Sequence, residues 1–323
     1  MSLLFTRAET AKRPKGTGRR ELVRQMKAHR WHYMFLAPMI ILSLMFTVWP
    51  IVASWVISFF DWDGYGPLTT FVGFDQFVEA ATSSQFWNAF GHTFAFTAVA
   101  VLIEMPLGLL LAMLLNAVWL SGRAVYRVLI FIPVITTTAV VGVVFGVLLS
   151  ASGGAINEIL QDLHLINDPI NFLGSESLSL PTVLAVNLWK NLGVTMIYFL
   201  AALQTIPQEV YDAAQVDGAS RPRTLRHITI PMIIPIGRVI LLLTVISSLN
   251  AFDLVQTMTG GGPNFSTDIV PTYIYRYAFN PEQFQPRYGF ASAAALFFGV
   301  AVLILTIAIV LPSRFRRKGG EVR

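Results

Sequence analysis

The sequence predicts an all-α integral membrane protein with six transmembrane helices, and three observations lead there. Hydrophobic residues fill 54% of the 323 positions and charged residues only 13%. A soluble domain carries roughly 25% charged residues, so this chain has too few polar side chains to dress its surface for water. The apolar residues also come in runs of the roughly 20 residues that cross about 30 Å of hydrocarbon as helix. In lipid the backbone must satisfy its own hydrogen bonds, and long unbroken apolar runs do so as helices, because barrel strands alternate.

Taken in order, residues 1–31 are polar and basic, with Arg7, Arg13, Arg19, Arg20 and Arg24 among their cations. They read as a cytoplasmic tail lying partly on anionic lipid. The apolar run after Tyr33 exceeds the roughly 7–15 residues of a signal-peptide core, so it is the first span. Spans are expected near 33–60, 89–116, 125–150, 181–204, 231–257 and 289–312, within a transmembrane domain of residues 32–315. Residues 316–323 form a second cytoplasmic tail. In the third span Thr136, Thr137 and Thr138 interrupt the apolar run after Pro133.

Charge fixes the orientation, because basic residues stay on the cytoplasmic side. With the N-terminus inside, the internal connectors hold Arg123 and Arg127, then Arg221, Arg223 and Arg226, and the final tail holds Arg314, Arg316 and Arg317. Of the external segments, 61–88 and 151–180 carry Asp and Glu but no Lys or Arg, while 258–288 is mixed, with Arg276 and Arg287 against Asp268 and Glu282. Both termini are therefore expected in the cytoplasm. Trp31 and Tyr33 flank the first span inside, and Trp62 and Trp87 mark outer interfaces. The formal charge of +5 is spent on these connectors, which argues against nucleic acid as a partner. The absence of cysteine excludes disulfides, thiolate metal sites and Cys nucleophiles. No catalytic nucleophile motif, metal-ligand cluster or phosphate loop of the G-x-x-x-x-G-K-[ST] type occurs. Gly260-Gly261-Gly262-Pro263 lacks the Lys and hydroxyl of such a loop and reads as an outer turn.

The most informative stretch is the internal loop of about residues 205–231. Thr205 and Gln208 have capping-box spacing, and Pro207 suits a first helical turn. Val210, Ala213 and Ala214 are expected on one face, with Gly218 stopping the helix after Asp217. Asp212 offers a carboxylate to a basic partner. A second amphipathic segment, Arg221 to Ile230, follows Ser220 as its cap and ends at Pro231. By physics alone the pair is either a docking element or an ordinary interfacial connector.

Here the chain resembles a known family. Asp212-Ala213-Ala214, Gly218, Ile228 and Pro231 resemble the Glu-Ala-Ala loop of ABC-importer permeases, with Asp in place of the usual Glu. Asp217-Gly218-Ala219-Ser220 and Ile228-Thr229-Ile230-Pro231 are similar to the sugar-importer branch. Phe71-Val72-Gly73-Phe74-Asp75 and Thr259-Gly260-Gly261-Gly262-Pro263 also resemble maltose-type and glycerol-phosphate-type permeases. The similarity covers roughly residues 33–315. It implies the type I ABC-importer permease fold in a bacterial or archaeal plasma (inner) membrane. It also implies that Glu209, Asp212, Ala213, Ala214, Asp217 and Gly218 couple the chain to a separate ATPase dimer. ATP and Mg²⁺ would sit on that partner, with no cofactor bound here. A second permease subunit, an external solute-binding protein, membrane lipid and a sugar complete the expected partners.

Polar residues inside spans are the candidate substrate contacts, because such groups face a cavity or another helix. Asn187 and Asn191 lie one turn apart with Trp189 nearby, Ser247, Ser248, Asn250 and Asp253 cluster in the fifth span, and Thr138 stands in the third. Amides, hydroxyls and an aromatic ring suit a di- or oligosaccharide. The resemblance places the sugar site on the same late spans. The competing role is bridging between helices, worth about 0.6–2 kcal/mol per residue. Glu104 and Lys190 are the deepest ionisable residues and should find a cavity or a subunit interface. Glycerol phosphate or a glycerophosphodiester is the alternative cargo, and an ion-coupled carrier or a membrane scaffold is the alternative class.

Overall fold

The computed structural model describes residues 30–117, 119–279 and 285–318. The basic stretch 1–29, the last residues 319–323 and the side chains of Trp31 and Tyr33 lie outside the described part. Among the described residues the fold is all-helical, with one isolated antiparallel bridge, Phe60 to Phe71. By packing, residues up to Ser54 form one unit and Trp55–Arg323 another. Among the described residues five helices are long and apolar enough to cross a membrane, and six spans result if the bent pair Arg123–Ile135 and Thr138–Leu148 is taken as one.

Helix α1 runs from Arg30 through a π-helical turn at Leu44–Val48 to Ile57, and between Met34 and Ser54 it buries no side chain. Helix α2 (Asp75–Thr82) is a short helix between spans. Helix α3 (Ser84–Asn116) begins five residues before the expected boundary. Ser83 is the reason: its hydroxyl accepts the Phe86 N–H at 3.2 Å and so caps an orphan donor.

The expected third span is not one helix. Helix α4 (Arg123–Ile135) and helix α5 (Thr138–Leu148) meet at 94°. Thr136 and Thr137 take extended backbone at the joint, where consecutive β-branched residues follow Pro133 and favour leaving the helix. Helix α6 (Ala155–Asp162) is a second short helix between spans. Helix α7 (Glu176–Gln204) is the central span. Helix α8 (Gln208–Val216) follows in the loop. Helix α9 comprises Arg221–Thr224, a π turn Leu225–Thr229 and Ile230–Leu249 in unbroken succession, and helix α10 (Phe252–Met258) completes that span. Helix α11 (Val270–Phe279) is external to the spans, and helix α12 (Tyr288–Lys318) is the last.

Three apolar clusters hold the described residues of the second unit together. Ala112, Leu115, Met196, Phe199, Leu203 and Ile233 join α3, α7 and α9 at the α8 end. Phe96, Val141, Val183, Leu254 and Ile269 join α3, α5, α7 and α10 at the other. Phe86, Ala89, Val270, Tyr273 and Phe290 fasten α11 to α3 and α12. Small residues set the closest approaches, as membrane helices require when lipid tails are as apolar as the side chains. A Cβ at Gly193 would stand 2.5 Å from the Ile130 carbonyl oxygen and 2.9 Å from Val134. Backbone at that distance does not yield, so Gly193→Leu should drive α7 from α4 and abolish recovery of monodisperse permease in detergent. Gly299→Leu, with open space around it, should leave recovery unchanged, and equal recovery of the two variants would sink this account.

The segment between α10 and α12 has a polar core. Arg276 reaches Asp268 at 2.6 Å, with side chains only 4% and 2% exposed. Thr272 donates to the other Asp268 oxygen at 2.6 Å, and the Arg276 guanidinium lies 4.2 Å above the Phe265 ring. His92 Nδ1 lies 2.9 Å from the Asp268 carbonyl oxygen. Thr93 accepts the Val270 N–H at 2.9 Å, joining α11 to α3. The glycine run is the turn expected from sequence, with φ +59° at Gly260 and +90° at Gly261, a region glycine enters without steric cost. Nearby, Arg287 grips Glu79 through two hydrogen bonds of 2.6 and 2.7 Å. These bonds hold the Glu79 carboxyl below its usual range.

Candidate functional site

Helix α8 is defined by its two ends. Thr205 does not make the expected capping box: it ends α7, donating to the Ala202 carbonyl at 2.8 Å. Gln208 instead reaches one turn forward to Asp212 at 3.1 Å. Pro207 occupies the N-cap rather than the first turn, with ψ at 140°. Proline disfavours helical backbone in the residue before it, which separates α8 from α7. At the far end Gly218 takes φ +72°. The Gly218 N–H bonds the Gln215 carbonyl at 3.1 Å and the Ala219 N–H bonds the Ala214 carbonyl at 2.9 Å. This Schellman pattern satisfies two carbonyls a helix end leaves open.

The faces of α8 divide sharply. Ala214 is buried, and Val210 and Tyr211 pack beside it against the cluster of Leu203 and Ile206. Ala213 was expected on that face and is exposed instead, because each step turns a helix by about 100°. Glu209, Asp212, Asp217 and Gly218 are exposed as well. Val216, which composition did not single out, is 88% exposed at the tip.

The expected second helix of this loop is a correction. Arg221–Thr224 runs directly into the fifth span, so no break occurs at Pro231. Proline lacks the N–H that would bond the His227 carbonyl, and the π turn Leu225–Thr229 absorbs the defect, with Ile230 N–H bonding Leu225. Ser220 stands at the N-cap without a side-chain bond, and Pro222 lies in the first turn. The Thr229 hydroxyl donates to the Tyr211 hydroxyl at 3.3 Å, tying α8 to α9. A hollow of about 560 Å³ opens between them, lined by Tyr211, Gln215, Ser220, Arg221 and Thr224.

A second site lies among the spans. A cavity of about 190 Å³ between α3, α7 and α9 is lined by Glu104, Asn191, Thr195, Tyr198, Thr244 and Ser247. Glu104 ends a π turn, Ala100–Glu104, just before Pro106, and this wider turn directs it inward. It is 3% exposed and accepts a hydrogen bond from Thr195. Asn191 donates to the Asn187 side chain at 2.9 Å and to its carbonyl at 3.1 Å.

The structure thus brings Asn191 and Ser247 to one cavity, with Asn187 buried behind Asn191. Ser248 is turned into the protein, donating to the Thr244 carbonyl at 2.8 Å. Asn250 and Asp253 are exposed beyond it. Trp189 packs on Phe145 at 5.2 Å and lines a separate apolar groove with Leu149 and Pro181. Thr138 is half-buried at the start of α5, and Lys190 is buried on α7. Thr195, Tyr198 and Thr244 were missed. Thr195 was legible, since Asn187, Asn191 and Thr195 recur every four residues on one helix face. Among the described residues no group of His, Asp and Glu has the makings of a metal site.

This geometry, a capped loop helix below a bundle with a polar cavity, has counterparts. Residues 104–317 match the model of the binding-protein-dependent transport system inner membrane component family. The chain belongs to that family. As a permease it is a multi-pass membrane subunit of a transporter. It is 33% identical over 285 residues to the trehalose/maltose transport system permease protein MalF of Thermococcus litoralis, covering 88% of this chain and 94% of that one. It superposes with a TM-score of 0.79 and 29% identity on a chain of a bacterial ABC transporter involved in import of the acidic polysaccharide alginate, covering 91% and 98% of the two chains. A chain of the alginate transporter in complex with alginate pentasaccharide-bound periplasmic protein gives 0.78, at 28% identity and 91% and 97% coverage. The maltose-type resemblance read from short motifs therefore extends along most of the permease, and the fold is that of the ABC-importer permeases.

Proposed function

We propose that this permease carries a di- or oligosaccharide inward as one transmembrane subunit of an ATP-driven, binding-protein-dependent importer. The observation that carries the reading is α8. Its outer face presents Glu209, Asp212, Ala213, Asp217, Gly218 and the bare Val216, while Ala214, Val210 and Tyr211 root it in the core shared by α3, α7 and α9. A body held that way moves with the spans. Closure of an ATPase dimer against the outer face would push α9 through the Tyr211–Thr229 contact and alter access to the cavity between α3, α7 and α9. ATP and Mg²⁺ belong to that ATPase dimer, and a second permease faces this one. An external solute-binding protein delivers the sugar on the side of α2, α6 and α11. The relatives support a carbohydrate cargo, and one was solved with its periplasmic protein. The α8 end and both termini lie in the cytoplasm, as the arginines of the connectors indicate.

The test is affinity purification of the tagged permease from its native membrane, followed by reconstitution. A second permease and an ATPase should co-elute, and uptake of the sugar held by the companion binding protein should require ATP. A permease that elutes alone and transports without ATP on an ion gradient would overturn the reading.

A further inference from the structure

The cavity between α3, α7 and α9 has one feature that hydroxyls and amides do not supply. Glu104 stands in its wall, and no Lys or Arg side chain lines it. Thr195 donates to one Glu104 carboxyl oxygen and so fixes the group, and Asn191 and Ser247 line the same cavity. In its ionised form a fixed carboxylate binds sugar hydroxyls through charge-assisted hydrogen bonds, roughly twice as strong as neutral ones. The same charge repels a second negative charge brought next to it. Specificity of this kind comes from building in what the wrong ligand meets badly.

We propose that Glu104 is a specificity-determining residue that makes this translocation path take uncharged glycans and refuse uronate- or phosphate-bearing ones. The inference rests on the carbohydrate-importer reading and narrows its substrate class. The cavity is smaller than the roughly 300–1,000 Å³ of a drug-sized ligand site. It holds part of an oligosaccharide, and the facing permease holds the rest.

The test uses the whole importer in nanodiscs without its binding protein, so that selection by the permeases is read alone. Saturation-transfer NMR is recorded with trehalose and maltotriose as neutral probes and alginate trisaccharide as the anionic one. The wild type should bind a neutral probe and not the alginate trisaccharide. Glu104→Gln keeps an acceptor for Thr195 and should fold. It should weaken neutral binding about tenfold, the scale of one hydrogen bond to a charged group, and admit the alginate trisaccharide. Thr195→Val, which frees the carboxylate to swing, should weaken neutral binding while still excluding the anion. Binding of the alginate trisaccharide by the wild type, or unchanged selectivity in Glu104→Gln, overturns the proposal while leaving the importer reading intact. If no probe binds and the complete system with its binding protein takes up none of them, the carbohydrate reading falls, and the proposal with it.

Discussion

Gly218→Val should cut ATP-driven uptake more than tenfold in a complex that still assembles. The reason is conformational, since a Cβ at Gly218 would meet nothing within 4 Å. At φ +72° an L-residue pays about 1–2 kcal/mol, with β-branched side chains the least tolerant. The Schellman bonds from Gly218 and Ala219 hold the last turn of α8 together, so the strain is relieved by unwinding that turn. Asp217 and Val216 then leave their places, and ATPase closure no longer drives the spans. Asparagine enters the left-handed region more readily, so Gly218→Asn should keep most of the uptake. The check is uptake and ATPase rate of both variants in proteoliposomes, after confirming equal subunit recovery. Full uptake by an assembled valine variant would sink the coupling role of this turn.

Arg276→Met should be the most destabilising single change outside the spans. It leaves the Asp268 carboxylate, almost wholly buried, with Thr272 as a remaining donor and without its countercharge. Breaking one partner of such a pair costs about 3–5 kcal/mol, whereas replacing both is often close to neutral. The thermal midpoint of the detergent-solubilised permease should fall by on the order of 10 °C. Adding Asp268→Leu to Arg276→Met should restore much of the loss. A double variant no better than the single one would show that the two side chains act independently. Because the network anchors α11 to α3 through His92 and Thr93, uptake dependent on the binding protein should fall with it.

The spans were legible because hydrophobic length is a strong signal and positive charge orders the connectors. The loop helix was legible in its exposed carboxylates and its stop at Gly218, while its start was not. Thr205 and Gln208 have capping-box spacing, yet Pro207 between them divides two helices, and local spacing does not reveal which helix claims a residue. The short helices α2, α6 and α11 went unseen because eight to ten residues give too few turns for periodicity to stand out. The bend after Ile135 left a trace in Pro133 and the threonine run, but the angle depends on α10 packing beside α5. Glu104 was noticed for its cost in lipid. Its meeting with Thr195 and Ser247 is a matter of tertiary contact between three helices, which no single stretch encodes.

The broken third span has a consequence for how the protein is made. At 13 and 11 residues, its two halves are about 20 and 16 Å long, and neither alone crosses about 30 Å of hydrocarbon. The bend also puts Thr136 and Thr137 in extended backbone, which a membrane interior tolerates only where protein covers it. The partner that seats the second half is α10: a Cβ at Gly142 would lie 1.8 Å from the Thr257 hydroxyl oxygen and 2.9 Å from its Cβ. Residues 252–258 leave the ribosome more than a hundred residues after 138–148. The second half must therefore wait, sheltered by the insertion machinery or held straight with the first, until the fifth span arrives to fold it into place.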